Sequence, residues 1–134
     1  MTESYYLKPV GIIRKSDAKV RIEIYDEYRA ALLGLDGFSH IYVLYWFHQN
    51  DTAENRRTLQ VHPRKDAGNP MTGVFATHSP LRPNLIALTL CRIRAIKGNQ
   101  IELDDIDALD GSPVIDIKCY IPAEVSDVRL PDWV

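Results

Sequence analysis

The sequence predicts an all-β fold, either a barrel or a sandwich. Three observations predict it. Apolar residues fall in many short runs, Gly, Pro, Asn and Asp punctuate the intervals, and helical periodicity is confined to one brief stretch. At 134 residues the chain fits a single domain over 1–134 and can bury a sizeable core without disulfide or metal staples.

In chain order, Tyr5–Arg14 leads into the apolar run Val10-Gly11-Ile12-Ile13, the first strand. Val20–Tyr25 alternates, with Val20, Ile22 and Ile24 on one face and Arg21 and Glu23 on the other. Asp26 is predicted to cap a short helical turn over Glu27–Leu33 that Gly34 ends. Ile41–Phe47 is apolar on both faces: Ile41, Val43, Tyr45 and Phe47 alternate with Tyr42, Leu44, Trp46 and His48. Such a strand needs cover on both sides, from the core and from either a helix or another subunit, and a subunit is the preferred reading. A short strand near Thr58–Val61 precedes a long exposed loop with Pro63 and Gly68.

Gly73–Ala76 reads as a short buried strand and Leu85–Leu90 as another. Leu85–Ala95 and Gln100–Asp104 form a hairpin around Lys97-Gly98-Asn99. Pro113–Ile121 is the last strand, and Leu130-Pro131-Asp132-Trp133 in the tail is predicted to tack onto the surface.

Composition restricts function. The chain is 46% apolar and 25% charged, the balance of an ordinary globule. It has no run of eighteen apolar residues, and Met1-Thr2-Glu3-Ser4 lacks a signal-peptide core, so a cytoplasmic protein with no membrane partner is expected. Cys91 and Cys119 lack C-x-x-C spacing and read as reduced thiols packed within strands. The net charge of −2 hides an uneven distribution. Arg56, Arg57, Arg64, Lys65, Arg82, Arg92, Arg94 and Lys97 lie mid-chain, and acids gather from Glu102 to Asp110, so a local basic face is compatible with the negative total.

The segment Thr72–Leu90 has the texture of a site. Pro80 and Pro83 stiffen a loop carrying His78, Ser79, Arg82 and Asn84, which pre-organises those groups for a ligand or merely joins two strands. No G-x-G-x-x-G or Walker pattern occurs, which argues against a Rossmann or P-loop site. The four histidines lack H-x-H or H-x-x-x-H spacing and the run Asp104–Asp110 fails the EF-hand pattern, so no metal is expected. His48 ends an apolar strand, where it either satisfies a carbonyl or enters a pocket. His40 reads as structural, and His62 has no assigned partner.

Three blocks carry a resemblance. Phe75-Ala76-Thr77-His78-Ser79-Pro80-Leu81-Arg82-Pro83-Asn84-Leu85-Ile86-Ala87-Leu88-Thr89 is similar to F-A-T-R-S-P-x-R-P-N-P-I-G-L-S of the TsaA-like (TrmO) family. Phe38-Ser39-His40 through His48-Gln49 resembles its F-S-H strand ending in H-Q, and Leu109-Asp110-Gly111-Ser112-Pro113-Val114-Ile115-Asp116-Ile117-Lys118 resembles its L-D-G-T-P-V-L-D-I-K.

The resemblance implies a small, mostly antiparallel β-barrel with one short helix. It implies S-adenosylmethionine bound near a homodimer interface and N6-methylation of the threonylcarbamoyl-adenosine beside the anticodon, tRNA adenine 37. It places His48, Gln49, His78, Leu88, Asp107, Ala108, Leu109 and Asp110 at the cofactor. Arg64, Lys65 and Arg82 then suit the phosphates of the tRNA anticodon loop, and His78, His48 and Asp110 are candidates for the base. The alternative is a dimeric S-adenosylmethionine-binding domain with another methyl acceptor or no catalysis. His78 stands where the family has arginine, and Leu85, Ala87 and Thr89 replace its proline, glycine and serine. The chain also stops short of the C-terminal region of longer bacterial relatives, which predicts less surface for tRNA.

Overall fold

The computed structural model describes residues 3–134. In chain order the strands are β1 (Gly11–Ser16), β2 (Lys19–Ile24), β3 (His40–Trp46), β4 (Gln60–Val61), β5 (Thr72–Gly73), β6 (Ile86–Lys97), β7 (Gln100–Leu103) and β8 (Pro113–Cys119), with one α-helix, α1 (Ala53–Arg57). The chain forms two compact units. One comprises the chain up to His48 with Ile86–Tyr120, and the other comprises Gln49–Leu85 with Ile121–Val134.

The first unit is a closed barrel in the order β1-β2-β7-β6-β3-β8, with every neighbouring pair antiparallel. Closure leaves no unpaired sheet edge. Alternation selects the core: Ile13, Ile22, Ile24, Ile41, Val43, Tyr45, Ile101, Leu103 and Val114 point inward from their strands and are buried. The other face of β3 meets β6 in register, with Tyr42 opposite Leu90, Leu44 opposite Leu88 and Trp46 opposite Ile86. The outer wall therefore carries a six-residue apolar patch, in which Leu88 is 56% and Leu90 45% exposed. Cys91 is buried, Cys119 is half-buried, and both are free thiols.

Two tight sites show why particular residues are needed. A Cβ on Gly11 would lie 2.4 Å from the Glu23 carbonyl oxygen across the β1–β2 pair. Between β6 and β7, Gly98 takes φ +61 as the turn sequence requires. The β1–β2 turn is less well suited, because Asp17 (φ 51) and Ala18 (φ 60) both adopt the left-handed conformation.

Several elements differ from expectation. Asp26 does not cap its turn: the 3-10 helix runs Asp26–Leu32 with Tyr25 at the N-cap, so Asp26 sits in the first turn, and Gly34 follows at φ +86. The α-helix is Ala53–Arg57 instead, capped by Thr52, whose hydroxyl accepts from the Asn55 amide at 3.1 Å. The expected strands at Thr58–Val61 and Gly73–Ala76 shrink to β4 and β5. Val74–Ala76 turns as a 3-10 helix because the Val74 amide bonds the Leu59 carbonyl at 3.0 Å, leaving Phe75 84% exposed rather than buried. The strand expected at Leu85–Ala95 is β6, bulged against β7 between Ile93 and Ala95, as the corner of a small barrel requires. Among the described residues no helix is long and apolar enough to cross a membrane.

Candidate functional site

In the barrel unit, the connection from β7 to β8 is the Asp104–Ser112 loop, held at both ends by ordinary backbone chemistry. Ile106 and Ala108 are buried and alternate with the exposed Asp107, Leu109 and Asp110. The Gly111 amide donates to the Ile13 carbonyl at 2.7 Å, and the Ser112 hydroxyl donates to the Leu109 carbonyl at 2.7 Å. Lys15 fixes the loop twice: its amide donates to Asp110 Oδ1 at 2.8 Å, and its ammonium donates to the Ile106 carbonyl.

Asp107 is the electrostatic centre of this loop. Its Oδ1 accepts from the Tyr45 hydroxyl at 3.0 Å and from the Thr89 hydroxyl at 2.8 Å. Burial pushes the Asp107 carboxyl up, but the hydrogen bonds from Thr89 and Tyr45, its own backbone amide and the nearby Lys15 outweigh that and hold it below the usual carboxylate range. The same environment acts oppositely on its neighbours. Burial, with Asp107 adding to it, pushes Tyr45 up to about 12 and Cys91 up to about 11, so both stay protonated.

Tyr45 and Thr89 were not among the predicted site residues. Thr89 was visible only as a replacement of the family's serine, and it keeps the hydroxyl that Asp107 uses. Asp107, Ala108, Leu109 and Asp110 follow one another along this loop, with Ala108 turned into the core and the other three exposed. Leu88 projects from the opposite face of β6 to Thr89, onto the outer wall. His48 does not end the strand, because β3 stops at Trp46; it opens a short 3-10 turn over His48–Asn50 and is half-buried.

The second unit contains a groove of about 1440 Å³. It is lined by Arg64, Lys65, His62, Phe75, His78 and Trp133, among others. The tail expected to tack down contributes Leu130, Pro131 and Trp133 to this lining. The proline-stiffened loop beside it is braced internally. The Ser79 amide donates to the Thr77 hydroxyl at 3.2 Å and the Leu81 amide to the Ser79 hydroxyl at 3.1 Å. Arg82 folds back on the loop, donating through Nη1 to the carbonyls of Thr77 at 3.1 Å and Ser79 at 3.2 Å. His78 and Gln49 are exposed, and Arg82 is half-buried.

Arg64 and Lys65 sit at φ 60 and 55, a conformation that side-chain-bearing residues avoid. Their neighbours hold it. His62 Nδ1 bonds the Asn69 carbonyl at 2.9 Å, and the Asn69 side-chain amide donates to the Pro63 carbonyl at 2.9 Å. Other cations are engaged: Arg56 pairs with Asp51 at 2.8 Å, Arg94 with Asp104 at 3.4 Å and Lys97 with Glu102 at 3.5 Å. The described residues contain no group of three or more His, Cys, Asp or Glu placed to hold a metal ion.

With this geometry established, comparison with known proteins gives a consistent result. The family described as the tRNA-methyltransferase O N-terminal domain matches residues 6–125. A probable S-adenosyl-L-methionine-binding protein of Methanocaldococcus jannaschii is 47% identical over 116 residues, covering 87% of this chain and 92% of that protein. The tRNA (adenine(37)-N6)-methyltransferase of Mus musculus is 41% identical over 103 residues, which is 77% of this chain and 23% of the mouse enzyme. A crystal structure of TrmO from Pseudomonas aeruginosa superposes with a TM-score of 0.75 at 28% identity, covering 99% of this chain and 63% of that one. The chain thus spans most of the archaeal relative, under a quarter of the mouse enzyme and under two thirds of the solved bacterial chain.

Proposed function

This chain belongs to the tRNA-methyltransferase O N-terminal domain family, and from that membership we propose that it is an S-adenosylmethionine-dependent tRNA methyltransferase. Its acceptor is N6 of adenine 37, carried on the threonylcarbamoyl-adenosine beside the anticodon. The observation that carries the cofactor reading is the Asp107 carboxylate, kept ionised by the Tyr45 and Thr89 hydroxyls. S-adenosylmethionine supplies an electrophilic methyl group on a sulfonium, and that positive charge needs an anion once it is partly desolvated. Asp107 and Asp110, on one fastened loop with Ala108 and Leu109, answer that need. His48 and Leu88 are further proposed contacts of the barrel unit, and Gln49 and His78 keep the role given by the resemblance.

The chemistry asks mainly for alignment. The exocyclic nitrogen attacks the methyl carbon opposite the departing sulfur, the C–N bond forms as the C–S bond breaks, and the electron pair returns to sulfur. The nitrogen's proton passes to a base, for which His48, His78 and Asp110 are the candidates. Asp110 has one oxygen occupied by the Lys15 amide and keeps the other for this purpose. Arg64 and Lys65 hold anticodon-loop phosphates, and Arg82 does so through the guanidinium nitrogens its loop does not use. The outer-wall patch around Leu88 and Leu90 is the proposed seat of a second copy, which would bring Leu88 to a cofactor site at the subunit interface.

A second reading is favoured by one observation: the archaeal relative that the chain nearly spans is described only as binding S-adenosyl-L-methionine. On that reading the domain binds the cofactor and serves another acceptor, or none. Two measurements separate them. Calorimetry with S-adenosylmethionine and S-adenosylhomocysteine should show binding, weakened for Asp107→Asn; no heat at millimolar ligand rejects both readings. Mass spectrometry of nucleosides from tRNA incubated with enzyme and cofactor should then show the added N6-methyl group, and its absence despite binding selects the second.

A further inference from the structure

Phe75 is an anomaly of the second unit. The residue is 84% exposed, yet its backbone is fixed on both sides. Val74, 2% exposed, anchors the turn and donates its amide to the Leu59 carbonyl at 3.0 Å. The Val74 carbonyl accepts from the Thr77 amide at 3.1 Å and the Thr77 hydroxyl at 2.8 Å. A large apolar ring is thus held out on a stiff pedestal, and little conformational entropy remains to be lost when something lies on its face.

The surroundings of the ring define what that partner is. Phe75 lines the same groove as Arg64 and Lys65, with His62 and His78 also on the wall. No Asp or Glu is found among the described lining residues, although the chain as a whole is acidic. Arg64 and Lys65 both hold left-handed backbone against its inherent cost, through the bonds joining His62, Pro63 and Asn69. Strain of this kind persists where the surroundings over-determine it and clusters at binding sites. An aromatic face and two cations lining one groove, with no acid among the described lining residues, suit an unpaired nucleotide, whose base stacks while its phosphate meets the charge. A duplex hides its base faces, and an apolar protein surface leaves the cations unmatched.

We propose that Phe75 is a stacking platform for an unpaired RNA base, with Arg64 and Lys65 holding the adjoining phosphate. The proposal deepens the tRNA reading and rests on it: the base is one that flanks the methylated adenosine in a single-stranded loop.

The test uses the full chain and a fluorescein-labelled heptaadenosine RNA, titrated over a range of salt concentrations, with cofactor affinity measured separately by calorimetry. Phe75→Ala should weaken RNA binding on the order of tenfold, as loss of one stacked base does. Phe75→Trp should retain binding. The slope of log affinity against log salt should be unchanged in Phe75→Ala and fall by about 1 in Lys65→Ala, because only the latter removes a phosphate contact. Cofactor affinity should be the same in all of them. RNA binding by Phe75→Ala equal to wild type overturns the platform, as does a sedimentation shift to smaller species showing that the ring contacts a second copy. Wild-type protein that binds the cofactor but no RNA overturns the platform while leaving cofactor binding intact. Wild-type protein that binds RNA through Phe75 but no cofactor upholds the platform and overturns the methyltransferase reading.

Discussion

Removing the Tyr45 hydroxyl should loosen the Asp107 carboxylate without disturbing the barrel. Tyr45 is 4% exposed, and its ring packs edge-on against Phe47 at 5.9 Å, a contact that Tyr45→Phe preserves. What is lost is one donor 3.0 Å from Asp107 Oδ1, leaving the Thr89 hydroxyl at 2.8 Å. A hydrogen bond to a charged group contributes about 1.5–3 kcal/mol where water is excluded. Asp107 is largely exposed, so water replaces part of the bond, and a loss of about 1 kcal/mol is the expected value at neutral pH.

The pH dependence has a definite sign. The folded carboxyl lies below its ordinary 3.8, so the stability it supplies is complete above that value and is lost as pH falls through the folded pKa. The gap between wild type and Tyr45→Phe should therefore be widest at neutral pH and narrow in acid. Urea melts across that range, with the Asp107 carboxyl titration followed by NMR, are the assay. An Asp107 pKa unmoved in Tyr45→Phe, together with a stability difference that does not vary with pH, would refute the assignment of Tyr45 as one of the two groups that hold this carboxylate.

Three other outcomes follow from the same geometry. Gly11→Ala should destabilise by about 2 kcal/mol or more, because its Cβ would meet the Glu23 carbonyl at 2.4 Å and neither backbone can yield cheaply; chemical denaturation measures it. Ala18→Gly should raise stability by about 0.5–1 kcal/mol, relieving a left-handed alanine in the β1–β2 turn at the cost of some chain entropy, and a higher melting temperature would show it. Leu90→Glu, on the exposed outer wall, should convert the proposed dimer to a monomer in sedimentation without unfolding it, and a wild-type monomer or an unchanged oligomeric state would remove the outer wall as an interface.

The strands were legible in the sequence because strand periodicity is local, while their closure into a barrel rather than a sandwich was implied only by the family resemblance. The alternation of Val20, Ile22 and Ile24 assigns an inward face before any partner strand is known, and Lys97-Gly98-Asn99 declares its own turn. Ile41–Phe47, by contrast, is apolar on both faces, and only the folded barrel turns Ile41, Val43 and Tyr45 inward. The Asp107–Asp110 loop was reached through its likeness to a known family. The charge state of Asp107 was not legible at all. Its two donors lie 62 and 18 positions away in the chain, and Tyr45 reads there as one more apolar residue of β3. Only when β3 and β6 pair do the two hydroxyls converge on the carboxylate.

Phe75 shows the reverse error. In the sequence it belongs to a short apolar run and so reads as buried, but burial depends on where the backbone goes next. The bond from the Val74 amide to Leu59 turns the chain there and carries the ring outward. A sequence records which residues are apolar and at what spacing, whereas hydrogen bonds between distant segments decide which of them face water, and that decision is made only in the assembled chain.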